Sequence, residues 1–421
     1  VDCGISGNEE IEYAKELGME VIVTDHHEPG EEIPNCLAVI DAKRKDNQYP
    51  FNQLAGVGVV FKLIQAISIK LELDAKEYLK YLDIVCVGTI SDIVPLIDEN
   101  RVIAKLGLKL VEMTKNIGLR TLLNSIGYKK IDSTTISFGV APRINACGRM
   151  GAQEEALKLL LTKDLEEATK ITEVLNQYNQ ERQAREKIIF EEAVNQIEKS
   201  DKELPCLVVG SEKWHHGVIG IVASKVTDLY FKPSILICFE GEEGKGSGRS
   251  IPGFDLHEAL MNCGTHIEKF GGHSMAIGIT VQKEKFEDFK KEFQEYAKSK
   301  GISDIIPIIK IDEETSLKNV NLETVKQLGL LEPYGEANKV PLFLIRSLKI
   351  QSIRTLSEGK HLKVRLGQDS YMIDAIGFGV GEWAERYLIG DKVDIVGSLE
   401  INSFNGNEQV QLVIKDMRKS F

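Results

Sequence analysis

Apolar runs that end in acids set the pattern of the first hundred residues. Val21-Ile22-Val23-Thr24 runs into Asp25-His26-His27, and Leu82 to Ile90 runs into Ser91-Asp92. The first run is rich in β-branched residues, which predicts a buried parallel strand that delivers Asp25, His26 and His27 to the carboxyl edge of a sheet. The second is expected to repeat that arrangement. Ile11, Ala14 and Leu17 lie at helical spacing between Asp2 and Val21, so Asp2 stands where another strand would end. Cys36 to Ile40 predicts a further strand closed by Asp41, which reads as a loop or helix cap. An apolar helix is expected from Ala55 to about Ile69, its glycines serving close packing or a phosphate. Further helical patterns cover 78–82, 102–113 and 117–126.

From Asp164, with Glu167 three residues on as a capping-box pair, a charged helical pattern runs to about Ser200. Leu165, Ala168, Ile171, Val174, Leu175 and Tyr178 give it an apolar stripe, as in a helix that bridges domains. Asn176, Asn179, Arg182 and Gln183 read as its solvated face. A second α/β unit then opens with a strand at Cys206–Gly210, a loop from Trp214 into a helix, and a strand at Ile235–Phe239. Past residue 335 the period shortens to two. Runs at Leu342–Ile350, His361–Leu366, Tyr371–Phe378, Val393–Leu399 and Val410–Ile414, with a helix-like insert at 382–387, predict an OB-like barrel. Tyr371, Phe378, Trp383 and Phe404 are candidates for stacking on bases, or else barrel core. The fold class is therefore α/β with a C-terminal β-barrel.

Composition narrows the function classes. The 421 residues are 43% hydrophobic and 28% charged, as in ordinary globular proteins. No run approaches the ~18 apolar residues of a membrane span, and no signal peptide is visible. Seven cysteines without a C-x-x-C read as reduced packing residues of a cytoplasmic protein. A net charge of −12 argues against a nucleic-acid partner, but residues 335–421 hold 12 Lys+Arg against 11 Asp+Glu, so the acidic excess lies elsewhere.

Asp25, His26 and His27, joined by Asp2 and Asp92, offer carboxylate and imidazole groups at one sheet edge. Such a set suits Mn, Zn or Fe and suits general acid–base work equally; the alternative is a turn with two solvated histidines. Phe138 to Arg149 places Arg143, Asn145 and Arg149 among small residues, and is expected to be a loop presenting donors to phosphate or tied to protein carbonyls. Gly244-Lys245-Gly246-Ser247-Gly248-Arg249-Ser250 reads as a glycine-rich phosphate cradle without P-loop spacing. Gly271-Gly272-His273 reads as a tight turn before a strand.

Asp2-x-Gly4, Asp25-His26-His27 and Gly88-Thr89-Ile90-Ser91-Asp92 resemble motifs II, III and IV of the DHH phosphoesterase superfamily. Ala141-Pro142-Arg143-Ile144-Asn145-Ala146-Cys147-Gly148-Arg149 is similar to the signature of its bacterial single-strand exonuclease branch. Trp214-His215-x-Gly217, Gly246-Ser247-Gly248-Arg249-Ser250 and Gly271-Gly272-His273 resemble the DHH-associated domain. The resemblance implies a DHH domain at 1–160, a connecting helix at 161–200, a substrate-binding DHH-associated domain at 201–332 and an OB-fold at 333–421. It implies two divalent cations, Mn2+ or Mg2+, with Asp2 bridging them and His26 and Asp92 completing one site. His27 would contact the phosphate or the leaving group, and Asp25 would orient the imidazoles.

On the substrate side the resemblance puts Ser247 and Arg249 on the DNA 5′ end, with Arg143, Asn145, Arg149, Gly271, Gly272 and His273 around them. The implied activity is 5′→3′ degradation of single-stranded DNA in repair and recombination, by a cytoplasmic monomer working with a single-strand-binding protein or a helicase. Motif I of the superfamily precedes motif II, so a chain that opens at Val1-Asp2 is expected to be a fragment lacking it and inactive or nearly so. Two other readings are a DHH phosphodiesterase of short oligonucleotides or cyclic dinucleotides, and a non-catalytic DNA-binding scaffold.

Overall fold

A computed structural model of the protein describes residues 1–128, 130–199, 204–302, 305–404 and 406–420. It divides into two compact units: one holds Val1–Thr114, Tyr128–Phe138 and Ile309–Phe421, the other Lys115–Gly127 and Gly139–Ile308.

In the first unit, helix α1 (Asn8–Glu16) turns only Ile11 fully inward, and strand β1 (Ile22–Thr24) follows. β1 pairs in parallel with β2 (Ala38–Ile40). Helix α2 (Gly56–Lys70) and the short α3 (Lys76–Leu79) come next. The run expected as a second acid-ended strand is instead helix α4 (Leu82–Ser91), flanked by α5 (Asp98–Glu112). Leu82, Val85, Cys86, Val87, Thr89 and Ile90 are buried together, so α4 is enclosed on all sides. A helix without a polar face has no amphipathic period, and a short run of that kind cannot be told from a buried strand by pattern. Glycines let its neighbours approach: a methyl group added at Gly107 of α5 would stand 2.3 Å from Cys86 Cβ. Of the two runs that end in Asp25 and Asp92, the first alone is a strand.

The second unit begins with α6 (Ile117–Ile126), capped by Asn116. Phe138 to Arg149 is not a loop. A π-helical turn over Thr135–Val140 leads into α7 (Ala141–Arg149), with Pro142 in the first turn, where a missing N–H does no harm. Small Ala141, Ala146 and Cys147 form its buried face. After α8 (Gln153–Leu161), α9 (Leu165–Glu198) starts where the Asp164 carboxylate accepts the Glu167 N–H at 2.8 Å. Then come β3 (Leu207–Ser211), α10 (His216–Tyr230), β4 (Ser234–Glu240), β5 (Glu243–Arg249), α11 (Leu256–Asn262), β6 (Lys269–His273), β7 (Ala276–Gln282) and α12 (Phe286–Ser299). The sheet order is β3-β4-β5-β7-β6.

The glycine-rich segment read as a loop is the central strand β5. Methyl groups added at Gly246 and Gly248 would stand 2.6 Å from Ile279 Cγ1 and Ile277 Cδ1 respectively. The alternate glycines thus admit core isoleucines on one face, while Lys245, Ser247 and Arg249 point to the other. His273 likewise ends strand β6 and does not sit in the turn itself.

The chain returns to the first unit with β8 (Glu313–Thr315), α13 (Leu322–Leu328) and the five long strands β9 (Phe343–Leu356), β10 (His361–Gln368), β11 (Tyr371–Gly377), β12 (Lys392–Phe404) and β13 (Asn407–Lys419). β10 pairs with both β9 and β11, β13 joins β11 to β12, and β12 returns to β9, so the barrel closes. All five strands stand where the period-two pattern placed them. β8 pairs with β9 ahead of residue 333, extending the sheet beyond that pattern. Trp383 packs against the barrel core, whereas Tyr371 and Phe378 are exposed. The side chain of Phe404 lies outside the described residues.

One buried acid ties the barrel ends together. Asp394 accepts the Ser420 hydroxyl at 2.6 Å, the Ser347 N–H at 3.1 Å and the Arg418 guanidinium at 3.2 Å. Burial alone would raise its carboxyl, but these donors outweigh it and hold it below the usual aspartate range. A depressed carboxyl adds stability above the unfolded-state value, and that stability is lost as pH falls through the folded value. Asp394→Asn should therefore lower stability by about 1–3 kcal/mol near neutral pH. Thermal unfolding compared at pH 7 and at a strongly acidic pH, below the ordinary aspartate range, reads this, with the gap between variant and wild type closing only at the strongly acidic end.

Candidate metal centre and phosphate cradle

The metal centre grows from the end of β1. Asp25 is 1% exposed, and every contact it makes holds the turn. Its Oδ2 accepts the Ile5 N–H at 3.0 Å; its Oδ1 accepts the His26 N–H at 2.8 Å and meets His27 Nδ1 at 2.7 Å. Burial pushes the carboxyl up, but the Ile5 amide, the His27 ring and the neighbouring amides win, so it is held below the ordinary range and stays ionised. An ionised acceptor fixes the His27 proton on Nδ1 and leaves Nε2 facing outward.

The His26 ring lies beside that of His27, with centroids 4.5 Å apart. Its Nε2 lies 3.1 Å from Asp2 Oδ1 and 3.6 Å from Asp92 Oδ2. Asp2 is pinned by its N–H to Thr24 O at 2.7 Å, with a left-handed φ of 60°. Asp92 follows the last turn of α4, its N–H on Gly88 O at 3.0 Å. Desolvation raises the Asp92 carboxyl; His26 opposes this and the Asp2 charge adds to it. Ligand atoms of Asp2, His26 and His27 all lie within 4.8 Å of one another. Among the described residues neither Asp2 nor Asp92 is paired with a lysine or arginine.

Two carboxylates converging on an imidazole without a cationic side chain form a hard oxygen–nitrogen donor set, and it fits a divalent ion such as Mn2+ or Mg2+. Buried oxygens without a partner, Thr24 Oγ1, Thr89 Oγ1 and Ser91 Oγ, flank the same segments in sequence. Asp41 is the loop cap that its position implied: its Oδ1 accepts the Lys43 N–H at 2.8 Å.

The second unit gathers the cationic candidates around the first turn of α10. Arg149 Nη1 donates to Gly217 O at 2.8 Å; Arg249 Nη1 donates to Ser247 Oγ at 3.1 Å and Gly248 O at 2.7 Å. Gly220 leaves room between them, since a methyl group there would stand 3.1 Å from Ser247 Oγ and 3.3 Å from Arg249 Nη2. Burial and the neighbouring Arg182 lower the pKa of Arg149, and burial with Arg149 lowers that of Arg249. Desolvated like charges of this kind favour an anion between them.

Strand register extends the cradle. His273 stands opposite Ala276, which stands opposite Arg249, and Gly271 and Gly278 lie in the row of Ser247. Residues directly opposite share a face, so Ser247, Arg249 and His273 line one side of the sheet. Methyl groups at Gly271 and Gly278 would meet nothing within 4 Å, which leaves the floor open. Gly272, with φ 129°, meets Ala276 O and serves the hairpin instead. Arg143 is turned to Gly139 O at 2.7 Å and Asn176 Oδ1 at 2.6 Å, and Asn145 is exposed.

The expected solvated face of α9 is corrected. Asn179 and Glu186 are buried, and Arg182 joins them through Nη2 to Asn179 Oδ1 at 2.9 Å and Nη1 to the Glu186 carboxylate, which also receives Lys225. Their signal in sequence was the i, i+4 Arg182–Glu186 spacing on the apolar side of the helix.

The chain matches three families: the DHH family, N-terminal domain, over residues 1–89, the DHHA1 domain over 203–299 and the RecJ OB domain over 311–416. It is 37% identical to the single-stranded-DNA-specific exonuclease RecJ of Bacillus subtilis over 99% of this chain and 53% of that protein. With RecJ of Thermus thermophilus it shares 34% identity over 100% of the chain and 59% of that protein. With RecJ of Salmonella typhimurium the figures are 32%, 99% and 76%. The chain thus spans between half and two thirds of the length of the first two. The crystal structure of Thermus thermophilus RecJ in complex with Mn2+ superposes with a TM-score of 0.88 at 33% identity, covering 100% of this chain and 61% of that one. The Mg2+ complex gives 0.82 at 32%, covering 96% and 60%.

Beside Asp92, Ile93 adopts a left-handed φ of 59° with its side chain 71% exposed. A β-branched residue there costs about 1–2 kcal/mol, against about 0.5–1 kcal/mol for the freedom that glycine brings to the unfolded chain. Ile93→Gly should therefore raise stability by up to about 1 kcal/mol without weakening Mn2+ binding, as read by thermal unfolding and by titration with the metal.

Proposed function

The chain belongs to the RecJ family, and from that membership we propose that it acts in a metal-dependent 5′→3′ exonuclease of single-stranded DNA. The observation that carries this reading is the convergence of Asp2, Asp92 and His26 Nε2, two carboxylates and an imidazole with no cationic side chain among them. A pair of divalent ions held there supplies Lewis-acid polarisation of the scissile phosphate and an activated water. Asp2, His26 and Asp92 bind and orient the ions. Asp25 holds its charge under the turn and keeps the His27 Nδ1 proton in place. His27 Nε2 is then free to carry a proton toward a phosphate oxygen or the departing 3′ oxygen.

Residues 1–160 carry the chemistry in this reading, 161–200 connect, 201–332 hold the 5′ end and 333–421 hold the strand. Ser247, Arg249 and Arg149 take the terminal phosphate, with His273 beside them. On the barrel, Arg354 stands opposite Lys363, and Arg365 two residues on faces the same side, with exposed Tyr371 and Phe378 offering ring faces to bases. Such phosphate contacts make binding salt-dependent. Among the described residues no helix is long and apolar enough to cross a membrane. A cytoplasmic monomer fed with single strands by a helicase or a single-strand-binding protein suits this surface. Repair and recombination are the settings in which such strands arise.

The test is manganese-dependent release of nucleotides from 5′-phosphorylated single-stranded DNA by the protein in its natural length. His27→Ala should lower kcat by about a hundredfold or more. Arg249→Ala should raise KM for the phosphorylated end by about tenfold while sparing kcat. Binding without degradation would replace this reading with a scaffold, and activity confined to dinucleotides would replace it with a small-substrate phosphodiesterase.

A further inference from the structure

Asp2 and Asp92 lie 90 residues apart in sequence, yet both come within 3.6 Å of one imidazole nitrogen. Neither is fixed by a charged partner among the described residues. What stands between them is the first turn of α2. At one side of that turn Gly56 lies under the Asp2 carboxylate: a methyl group there would stand 2.0 Å from Oδ1 and 2.7 Å from Cγ. At the other side Val57 presses on Gly88 of α4, where a methyl group would stand 2.7 Å from Val57 Cγ1. Gly88 is the residue whose carbonyl receives the Asp92 N–H at 3.0 Å. The chain of contact therefore runs Asp2, Gly56, Val57, Gly88, Asp92 without a gap.

We propose that the Gly56-Val57 turn is a spacer that sets the separation of the two metal-ligating carboxylates, with glycine required at both of its contacts. Gly56 and Gly88 are positioning residues: they touch no substrate and act through Asp2 and Asp92. A side chain at 56 overlaps Asp2 Oδ1 and drives the carboxylate off His26. A side chain at 88 pushes α4 away from α2 and carries Asp92 with it. The inference rests on the metal-centre reading above and deepens it, because it names what fixes the geometry of the donor set.

Gly58 supplies the control. It is on the same helix, but the nearest atoms to a methyl group there are all of the Leu54 side chain, with the movable Cδ2 closest at 3.3 Å and Cβ in ordinary contact at 3.5 Å. All three glycine-to-alanine changes favour intrinsic helix propensity in the same direction, so propensity does not separate them.

The experiment titrates the whole chain with MnCl2, reading free Mn2+ by electron paramagnetic resonance, then displaces it with Mg2+ or Ca2+. Gly56→Ala and Gly88→Ala should each weaken Mn2+ binding by about ten- to a hundredfold, and Gly58→Ala should leave it within about twofold. Mg2+ demands near-ideal octahedral geometry whereas Ca2+ accepts irregular sites, so the first two variants should also lose Mg2+ competition more than Ca2+ competition. A general loss of folding would lower both together, and circular dichroism of each variant checks for it. Wild-type affinity and selectivity in Gly56→Ala, alongside loss of Mn2+ in Asp2→Asn, would overturn the spacer and leave the metal centre standing. Unchanged Mn2+ binding in Asp2→Asn would overturn both.

Discussion

The buried carboxylate of Asp25 is the constraint on which the geometry of the proposed metal centre depends. A carboxylate at 1% exposure is tolerated only if its charge is answered by donors, and here backbone amides answer it from Ile5, His26 and His27 together with the His27 ring. Those same donors define the turn. The Ile5 amide ties the segment after Asp2 to the end of β1, and the histidine amides turn the chain out of the strand just where the two rings begin. Removing the charge would free the His27 ring, the Asp2 segment and the strand end in one step, so a residue that lies beneath the site controls the groups that form it.

The arginine cluster of the second unit follows the opposite logic. Arg149 and Arg249 are half-buried and mutually repelling, and among the described residues each finds only carbonyl or hydroxyl acceptors. Glu186 is a buried acid at hand, but it is already shared by Arg182 and Lys225. Such an arrangement works against folding, since unpaired desolvated charge is among the least favourable things a protein interior can hold. It is retained where a ligand completes the charge balance, and an anion such as a terminal phosphate does so with bidentate geometry. The electrostatic cost of bringing Arg149 and Arg249 together is the same term that an anion placed between them would relieve.

Much of this was legible in sequence, and what was not has specific causes. The β1 edge, the five barrel strands and the Asp164 cap follow from period-two alternation and capping chemistry, which are local. Asp2, Asp25, His26, His27 and Asp92 were singled out through their resemblance to family motifs; the structure places Asp2 and Asp92 within 3.6 Å of His26 Nε2 and Asp25 against His27. The misreadings share one origin, which is that burial on both sides erases periodicity. Leu82–Ser91 lost its helical signature because it has no wet face, and Ala141–Arg149 lost it because small residues give little contrast. Gly244–Arg249 looked like a loop because its core side is built of glycines that make room for isoleucines brought from other strands.

That last point generalises to the way glycine is used throughout this chain. Read alone, G-x-G and G-x-G-x-G segments signal flexibility or phosphate approach. Here Gly56, Gly88, Gly246 and Gly248 sit in regular helix or strand, and none has a left-handed φ. Each is a place where a neighbour's atoms occupy the volume a Cβ would take. The neighbour is the Asp2 carboxylate at Gly56, a helix at Gly88 and core isoleucines at Gly246 and Gly248. A glycine of this kind confers rigidity, because it lets two elements close to a fixed distance and leaves no side chain to adjust it. Carboxylates that must meet a metal within a few tenths of an ångström are better placed by such contacts than by long side chains with rotamers to spare.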